Sequence, residues 1–385
     1  MSHDALLPLD NLLVLDFSQF LAGPSAALRL ADWGARVVKV ERREGGEASR
    51  QLRLANLDLD GDSLLFHTIN RNKESLAVDL KDPVDLERVR RLIARADVLI
   101  QSFRPRVMAK LGLDYAQVRV LNPRLIYASV SGFGEEGPWR DKPGQDLVVQ
   151  ALAGLPWLNG NRDQPPLAFG LSIVDTLAGG HLTQGILALL VRRGITGEGG
   201  RVDVSLLESA LDFQFEVLTT YLNGGALPER SLLAGAYPYL PAPYGIYPTV
   251  DGYLALAMGS VPLLGELLGL PALMEYKDPD TWFTERDDIK QELAARLRTR
   301  PSAQWLAILE PAGIWCADVY NWPRLLAHDG FKALDMLQQV SRDGATFVTT
   351  RGPVRIDGKV IKSPLAAPHL GEHKPLFGDD VGDDE

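Results

Sequence analysis

The first 130 residues of the chain alternate short apolar runs with amphipathic stretches. Leu12 to Phe17 and Arg36 to Glu41 are apolar enough for buried strands, and between them Pro24 opens a helical pattern that Gly34 closes. Further strands are predicted at SLAVDL, DVLIQS and RLIYASV, with another helix after the first of these. Strands that alternate with helices in this way predict a parallel sheet covered on both faces, with right-handed crossovers.

The pattern changes after Ser131, where the Gly- and Pro-rich stretch GFGEEGPWRDKPGQD predicts a loop. A long apolar helix is expected from Asp175 to Arg192, a strand at RVDVS, and a helix from Leu206 to Tyr221. Residues 223–245 are typical of an exposed connection. A smaller α/β region is predicted beyond it, with a hairpin at TVDGYLALAMG and helices near 285–298 and 302–312.

Composition and charge narrow the class of protein. A length of 385 residues favours two domains, and the net charge of -10 disfavours a nucleic-acid partner. The single cysteine, Cys316, excludes an intrachain disulfide and a cysteine-based metal site, and it fits a reducing compartment. The N-terminal residues do not resemble a signal peptide, and apolar runs such as GILALLV are shorter than a membrane span. We therefore expect a cytoplasmic protein without a membrane partner.

The common catalytic and nucleotide-binding motifs are absent from the sequence. It contains no P-loop, no paired-histidine zinc helix and no G-x-G-x-x-G after the first strand, although Glu41 ends the second strand as in dinucleotide-binding folds. Gly23-Pro24-Ser25 resembles a nucleophile elbow only loosely, because the second glycine is missing. Of the histidines, only His369 and His373 have ligand spacing, so no metal site is expected, and His181 is predicted to be a satisfied core histidine.

Two stretches carry candidate chemistry that the residues alone leave open. Arg42, Arg43, Arg50 and Arg53 follow the second strand, where they form either a solvated charged loop or a phosphate site at the carboxyl end of a parallel strand. Asp163 lies in NGNRDQPP, where two prolines fix a rigid, non-helical backbone. Taken by itself, this pattern favours a turn aspartate.

Several longer stretches resemble the class III CoA-transferases, the family of formyl-CoA transferase and the carnitine and bile-acid CoA-transferases. They follow the family's order over nearly the whole chain and are VLDFSQFLAGPSAALRLADWGARVVKVER, NRNKESLAVDLKDP, ADVLIQSFRP, NPRLIYASVSGFGEEGP, NRDQPP with the trailing Asp175, TGEGGRVDVSLLESAL, APYGIYPTVDGYLALA and APHLGEH. The resemblance implies a Rossmann-like large domain built from both chain ends, a smaller α/β domain, and a homodimer of interlocked chains. The predicted ranges are 1–200 for the first part of the large domain, 201–240 for a linker helix and connection, 241–325 for the small domain, and 326–385 for the return to the large domain.

The resemblance also implies site residues. It places the catalytic aspartate at Asp163, before the two prolines, and it implies acyl-CoA and a small carboxylic acid as substrates, with coenzyme A as co-substrate and no tightly bound cofactor. Leu21, Leu52 and Ser131 stand where formyl-CoA transferase has glutamine, tryptophan and lysine, so oxalate is not expected as a substrate. The implied coenzyme A contacts are Leu21, Ala22, Arg42, Val78, Lys81, Ser102, Phe103, Lys110, Val130, Ser131, Gly132 and Phe133.

The expected mechanism is covalent. Asp163 would attack the donor thioester to give an aspartyl anhydride and CoA thiolate, and the thiolate would then form aspartyl-CoA and release the donor acid. The acceptor acid would reverse these steps. Backbone N–H groups of the Ser131 to Gly134 loop are expected to stabilise the oxyanions, while Arg42, Lys81 and Lys110 hold the phosphates.

Two alternatives remain open at this point. The α-methylacyl-CoA racemases share the fold, and this chain keeps their aspartate at Asp146, but Gln145 replaces the neighbouring histidine and no histidine lies between His67 and His181. A two-base proton exchange would therefore lack a base. The second alternative is a catalytically silent acyl-CoA binding protein.

Overall fold

The structure, a computed structural model, describes residues 7–373. It divides into two compact units, each built from separate stretches of the chain. The first unit contains the residues up to Val149, Ser172–Ala210 and the chain from Leu334 onwards, and the second contains Gln150–Leu171 and Leu211–Ala333. Residues 150–171 thus belong to the second unit and not to the large domain, where the sequence placed them. The final residues of the predicted range 326–385 lie outside the described part of the chain.

A six-stranded parallel sheet forms the centre of the first unit, in the order β5-β2-β1-β6-β7-β8. The strands up to this point, in chain order, are β1 Leu13–Asp16, β2 Arg36–Arg42, β3 Asp58–Leu59, β4 Asp62–Ser63, β5 Glu74–Val78, β6 Val98–Gln101, β7 Ile126–Ser131 and β8 Gly200–Ser205. Leu15 of β1 pairs with Val38 on one side and Leu99 on the other. The strand order reverses between β1 and β6, so a crevice opens beyond the carboxyl ends of these two strands.

The helices of this part of the chain begin where the sequence supplies capping residues. Asp82 accepts a hydrogen bond from the N–H of Val84 and Pro83 occupies the first turn, so α3 begins there. Asp114 caps α5 in the same way through the N–H of Gln117. The helices are α1 Ala22–Asp32, α2 Leu64–Asn70, α3 Pro83–Ile93, α4 Val107–Leu111, α5 Tyr115–Leu121, α6 Asp146–Ala153, α7 Ile173–Thr196 and α8 Leu206–Phe213.

Helices α1 and α7 pack closely because glycines lie at their contact. A Cβ atom on Gly179 would lie 2.7 Å from the carbonyl oxygen of Ala22, so a side chain at this position would push the helices apart. By length and composition α7 is the one helix among residues 7–373 that is able to cross a membrane. Its apolar length exceeds what the sequence indicated, and its buried residues, which include Val174, Leu182 and Ile186, pack against α1, β7 and β8.

The second unit has its own core around a three-stranded antiparallel sheet in the order β11-β10-β9. The buried indole of Trp305 donates to the carbonyl of Leu297 at 2.8 Å, and the buried hydroxyl of Tyr247 donates to that of Pro243 at 2.6 Å. The remaining elements of this part of the chain are α9 Phe215–Leu222, β9 Gly245–Pro248, β10 Tyr253–Leu256, α10 Val261–Leu268, α11 Thr281–Thr284, α12 Arg286–Leu297, α13 Ser302–Leu309, β11 Cys316–Asp318, α14 Trp322–Ala327 and α15 Asp329–Leu334.

The C-terminal stretch returns to the first unit as two hairpins. These are β12 Leu337–Arg342 with β13 Ala345–Thr350, and β14 Arg355–Ile356 with β15 Lys359–Val360. Arg342 donates to the carboxylates of Asp60 and Asp62, and the N–H of Gly371 donates to Ser75 Oγ at the edge strand β5. The first unit is therefore built from both ends of the chain.

The α/β fold class predicted from the sequence is confirmed, and the predicted strands of the sheet lie within a few residues of the observed ones. Two details differ. Residues 201–205, the start of the predicted linker, belong to the edge strand β8. The helix predicted from Leu206 to Tyr221 is two helices, because the backbone of Gln214, with φ -98° and ψ 12°, ends α8 before α9 begins.

Candidate active site at the carboxyl ends of the sheet

All the predicted coenzyme A contacts lie in the first unit, at the carboxyl edge of its parallel sheet or just beyond it. Leu21 and Ala22 start α1 after β1, Arg42 and Val78 end β2 and β5, Lys81 follows β5, Ser102 and Phe103 follow β6, Lys110 lies in α4, and Val130, Ser131, Gly132 and Phe133 end β7 or follow it. Open α/β sheets bind ligands at this edge, beside the point where the strand order reverses. Arg42, Lys81 and Lys110 are exposed, so their cations face solvent at this edge.

The loop after β1 crosses the crevice and is fixed from both sides. The N–H of Gln19 donates to Ser102 Oγ at 2.9 Å, and the N–H of the next residue, Phe20, donates to Glu47 Oε2 at 3.1 Å. Ser102 follows β6 and Glu47 follows β2, so the two bonds tie the β1 loop to the strands on either side of it.

A buried charge cluster supports this loop. Asp16 accepts hydrogen bonds from Lys73 Nζ at 2.9 Å and Lys39 Nζ at 3.4 Å, and Lys39 also donates to the carbonyl of Ser18. Burial opposes ionisation of Asp16, but the two ammonium groups and the Ser18 hydroxyl outweigh it and hold the pKa of Asp16 well below its usual range. Burial lowers the pKa of Lys73 to about 8. The cluster therefore contributes a fixed internal ion pair rather than a group facing the crevice.

A cavity of about 390 Å³ opens between the ends of β6, β7 and β8. Three of the predicted coenzyme A contacts, Phe103, Val130 and Ser131, line it. Four carboxylates lie in its wall, and two of them, those of Glu135 and Asp203, are paired with Arg201. Aromatic rings and guanidinium groups share this wall, a combination suited to a base and to phosphate oxygens. These further residues include Tyr115, Tyr127, Arg104, Arg106, Arg140 and Arg201.

The loop after β7, expected to supply oxyanion donors, is held in one conformation. A Cβ atom on Gly132 would lie 2.6 Å from Gly144 Cα, so only glycine permits the backbones to approach this closely. The N–H of Gly134 already donates to Ser131 Oγ at 2.9 Å. The N–H of Gly134 is therefore already engaged. The other backbone N–H groups of the Ser131 to Gly134 loop are the ones that we expect to stabilise an oxyanion.

Asp163, the predicted nucleophile, lies in the second unit, whereas every predicted coenzyme A contact lies in the first. Its loop is rigid because buried Arg230 donates to the carbonyls of Asn159, Gln164 and Pro165. The carboxylate itself is exposed, and within residues 7–373 it makes no hydrogen bond or ion pair. These features describe a well-anchored turn with a solvated carboxylate.

Asp175, in the first turn of α7, has a different environment. It is half-buried, lies in the first unit, and its carboxylate makes no hydrogen bond to any described residue. Burial and then the nearby charge of Asp146 raise the pKa of Asp175 to about 7. One turn further along α7, a Cβ atom on Gly179 would lie 2.7 Å from the carbonyl oxygen of Ala22, the first residue of α1 after the β1 loop. Sequence reasoning named Asp175 only as part of a stretch that resembles the family and gave it no catalytic role; the available signal was a lone carboxylate at the start of a long apolar helix.

The residues that bear on a racemase are engaged elsewhere. Asp146 Oδ2 accepts the N–H groups of Val174 at 2.8 Å and Asp175 at 3.0 Å and so caps α7 from a distance of 28 residues in the sequence. His181 Nδ1 is 3.0 Å from Ser209 Oγ, as a satisfied histidine requires. Asp146 thus acts on the helix that carries Asp175.

One group of possible metal ligands occurs among the described residues, formed by Asp60, Asp343 and His369. His369 Nε2 lies 2.7 Å from Asp343 Oδ2, and Arg342 Nε lies 2.8 Å from Asp60 Oδ2. Because the guanidinium already neutralises Asp60, we interpret this group as a surface ion-pair cluster.

Comparison with known proteins identifies the class to which this sheet and crevice belong. Residues 9–374 match the model of CoA-transferase family III, and the chain belongs to that family. It is therefore an enzyme, a CoA-transferase that uses coenzyme A as co-substrate.

Individual relatives match over most of their length. The chain is 32% identical to a succinate–glutarate CoA-transferase of Agrobacterium fabrum, over 95% of this chain and 94% of that protein. It is 34% identical to an acetyl-CoA:oxalate CoA-transferase of Acetobacter aceti, over 80% and 79% respectively. The crystal structure of the D175A mutant of Rv3272 from Mycobacterium tuberculosis superposes with a TM-score of 0.84 and 31% identity, covering 96% of this chain and 98% of that one.

Proposed function

We propose that this CoA-transferase moves coenzyme A from an acyl-CoA to a free carboxylic acid through a covalent aspartyl intermediate, and that the aspartate is Asp175. The observation that carries this choice is the half-buried, unpaired carboxylate in the same unit as the predicted coenzyme A contacts. Asp163 stays a prediction from the sequence; its carboxylate is also unpaired among residues 7–373, but it is exposed and lies in the second unit.

The proposed transfer passes through covalent intermediates on the Asp175 carboxylate. A carboxylate oxygen of Asp175 attacks the thioester carbonyl, the C–S bond breaks, and an aspartyl anhydride and CoA thiolate form. The thiolate attacks the aspartyl carbonyl of the anhydride, giving aspartyl-CoA and releasing the donor acid. The acceptor carboxylate then attacks the thioester carbonyl of aspartyl-CoA, the C–S bond breaks, and a second anhydride and CoA thiolate form. The thiolate attacks the acceptor's carbonyl of this anhydride, which gives the new acyl-CoA and frees the Asp175 carboxylate.

The environment of Asp175 suits this chemistry. Water hydrogen-bonded to a carboxylate must be removed before the oxygen attacks, and a half-buried carboxylate has less water to lose. The like charge of Asp146 makes the ionised form less stable and therefore more basic, which favours bond formation.

The substrates proposed for a first assay are dicarboxylic. The Agrobacterium relative is named for succinate and glutarate, so succinyl-CoA with glutarate is the natural starting pair. Oxalate is the discriminating second acceptor, because the Acetobacter relative is named for it while Leu21 departs from the glutamine of formyl-CoA transferase. Transfer to glutarate without transfer to oxalate is the expected result.

The enzyme is also proposed to be a homodimer. Helix α9 in the second unit buries none of its residues, although much of it is apolar. Phe215 and Leu222 are 61% and 69% exposed, and Leu218 and Tyr221 are also exposed. An apolar helix face of this kind needs a partner, and a second copy of the chain is the one the resemblance implies. Light scattering should give twice the monomer mass, and Phe215→Ser with Leu222→Ser should shift it towards the monomer.

A cytoplasmic location also stays a prediction, testable by cell fractionation.

Trapping of the thioester tests the mechanism. Acyl-CoA with borohydride should reduce aspartyl-CoA to an alcohol at residue 175, found by peptide mass, while acceptor acid with borohydride should leave the peptide unchanged. In the Asp163→Asn protein, residue 175 should be reduced as it is in the wild type. Label on the peptide that contains Asp163 would restore the original assignment, and an unmodified protein that still turns over would exclude an enzyme-bound thioester.

A further inference from the structure

Phe20 stands in the β1 loop with an unusual backbone. Its φ is 63°, in the left-handed region where glycine is common and a bulky aromatic residue is an outlier. Core packing does not explain the aromatic ring, because the side chain is 53% exposed. A strained position that keeps a large apolar side chain in solvent indicates a use for that side chain.

Glu47 holds this conformation. Its Oε2 accepts the Phe20 N–H at 3.1 Å, and its own N–H donates to Glu41 Oε2 at 3.0 Å, which fixes its backbone. Glu47 is 3% exposed, and its second oxygen, Oε1, is buried without a hydrogen-bond partner among residues 7–373. Burial raises the pKa of Glu47, the charge of Lys39 offsets part of this, and the one hydrogen bond that its side chain makes goes to the Phe20 N–H.

The loop that carries Phe20 connects a predicted coenzyme A contact to the helix that carries Asp175. Phe20 is followed by Leu21 and Ala22, and the carbonyl of Ala22 meets Gly179, one helical turn from Asp175. On its other side Gln19 is bonded to Ser102, one of the predicted coenzyme A contacts. An acyl group that reaches Asp175 from the coenzyme A residues would therefore run along the loop that carries Phe20.

We propose that Phe20 is a specificity-determining residue that contacts the apolar chain of the acyl-CoA, and that Glu47 is the positioning residue that holds it in place. The proposal rests on the transfer function proposed above. It predicts a preference for acyl groups with an extended hydrocarbon part, because such groups bury area against the phenyl ring.

An isotope-exchange assay tests the first half without knowledge of the natural acceptor. Acetyl-CoA is incubated with labelled acetate, and hexanoyl-CoA with labelled hexanoate, so that each acid exchanges with its own thioester. Phe20→Asn keeps a residue that tolerates the left-handed conformation but removes the ring. It should lower kcat/KM for hexanoyl exchange by about tenfold, mainly through KM, and change acetyl exchange by less than about twofold. Equal losses with both donors would overturn the proposal.

A double-substitution cycle tests the second half. Glu47→Ala should lower hexanoyl exchange about as much as Phe20→Gly does, whereas Glu47→Gln, which keeps an acceptor oxygen, should largely restore it. If Glu47 acts through residue 20, Glu47→Ala should add little to Phe20→Gly, since glycine reaches the left-handed region unaided. Fully multiplied losses in the double variant would mean that Glu47 acts by another route. Melting temperatures of all variants separate these effects from unfolding.

Different results would refute the transfer function and the role of Phe20. A folded wild-type enzyme that exchanges neither acid and does not transfer from succinyl-CoA to glutarate would refute the transfer function itself. A wild-type enzyme that transfers to glutarate or exchanges acetate, but shows no hexanoyl exchange, would refute only the role of Phe20.

Discussion

The loop around Asp163 and the first turn of α7 around Asp175 solve opposite problems with the same side chain. Arg230 and its three carbonyl partners fix the backbone around Asp163, and the carboxylate is left in solvent. At Asp175 the backbone is fixed by Asp146, and the carboxylate is removed from solvent and placed near a like charge. The comparison teaches that a fixed backbone does not distinguish the two carboxylates, which differ instead in their exposure to water and in their electrostatic surroundings.

Replacement of each aspartate by asparagine should give the largest contrast. Asp175→Asn removes the nucleophile at nearly constant volume, and we expect transfer to fall by at least ~10³-fold, as loss of a covalent nucleophile usually costs orders of magnitude. Asp163→Asn should change kcat/KM by less than about threefold, because its exposed carboxylate makes no hydrogen bond or ion pair among residues 7–373. Initial rates with succinyl-CoA and glutarate provide the measurement. The reverse pattern would return the nucleophile to Asp163.

Arg230 separates stability from activity in the second unit. Arg230→Ala leaves three carbonyls in its pocket without their donor, so the free energy of unfolding should fall by about 2–4 kcal/mol, measured with urea on the full chain. Arg162→Ala, which removes an ion pair with Asp287 and one hydrogen bond to the carbonyl of Arg230, is the control and should cost about 1 kcal/mol. In the folded Arg230→Ala protein we expect kcat within about threefold of wild type. A large fall in kcat with little loss of stability would show that the Asp163 loop takes part in catalysis.

The pH dependence sharpens the description of Asp175. Since burial and Asp146 raise the pKa of Asp175 to about 7, kcat/KM should rise with pH through about 7 as the nucleophile ionises. Asp146→Asn keeps an oxygen that caps α7 but removes the charge, so the midpoint should move to lower pH. A midpoint that stays in place would mean that another group controls the profile.

Stability should show the opposite trend with pH. The folded state keeps the Asp175 proton up to about pH 7, while the unfolded chain loses it near the ordinary value of 3.8. The retained proton on Asp175 therefore stabilises the folded state relative to the unfolded chain. This stabilisation is complete below pH 3.8 and is lost as pH rises through about 7. Asp175→Asn should therefore be more stable than wild type at pH 8, by about 1–3 kcal/mol, and nearly equal to it below pH 4. Melting temperatures at the two pH values provide the check.

The smallest expected effect concerns the binding of coenzyme A by the first unit. Arg42 is exposed at the end of β2, and Arg42→Ala should weaken acyl-CoA binding by about 1 kcal/mol through a lost charge-assisted contact. Arg162→Ala in the second unit should leave the dissociation constant unchanged. Titration calorimetry with CoA and with 3′-dephospho-CoA decides whether Arg42 meets the 3′-phosphate, because an equal loss with both ligands would place its contact elsewhere.

Much of the first unit follows from local patterns in the sequence. The strands of the sheet are apolar runs, and α3 begins at Asp82 and Pro83 as capping chemistry dictates. The predicted coenzyme A contacts lie together at one edge because the carboxyl ends of parallel strands share an edge. These are consequences of short-range pattern and of sheet geometry.

The nucleophile does not follow from such patterns. The two prolines after Asp163 are visible in the sequence, whereas the pKa of Asp175 depends on burial by the fold and on Asp146, 29 residues away along the chain. The strain at Phe20 and its bond to Glu47 are likewise tertiary facts, since nothing in FSQFLAG marks one residue for a positive φ. Sequence reasoning finds the edge of the sheet, and long-range contacts decide which side chain there is reactive.

The construction of the first unit from both ends of the chain has a consequence for biosynthesis. Arg50 donates to the carbonyl of Pro368, and Ser75 accepts from Gly371, so these two hydrogen bonds form only after residues 368 and 371 have left the ribosome. Until then the nascent chain holds the residues of the second unit and all six strands of the large sheet, but Arg50 and Ser75 lack these two hydrogen bonds. A stop codon shortly after Leu334 would leave Arg50 and Ser75 without these partners, and the truncated product should be a substrate for cellular proteases even though every strand of the large sheet has been translated.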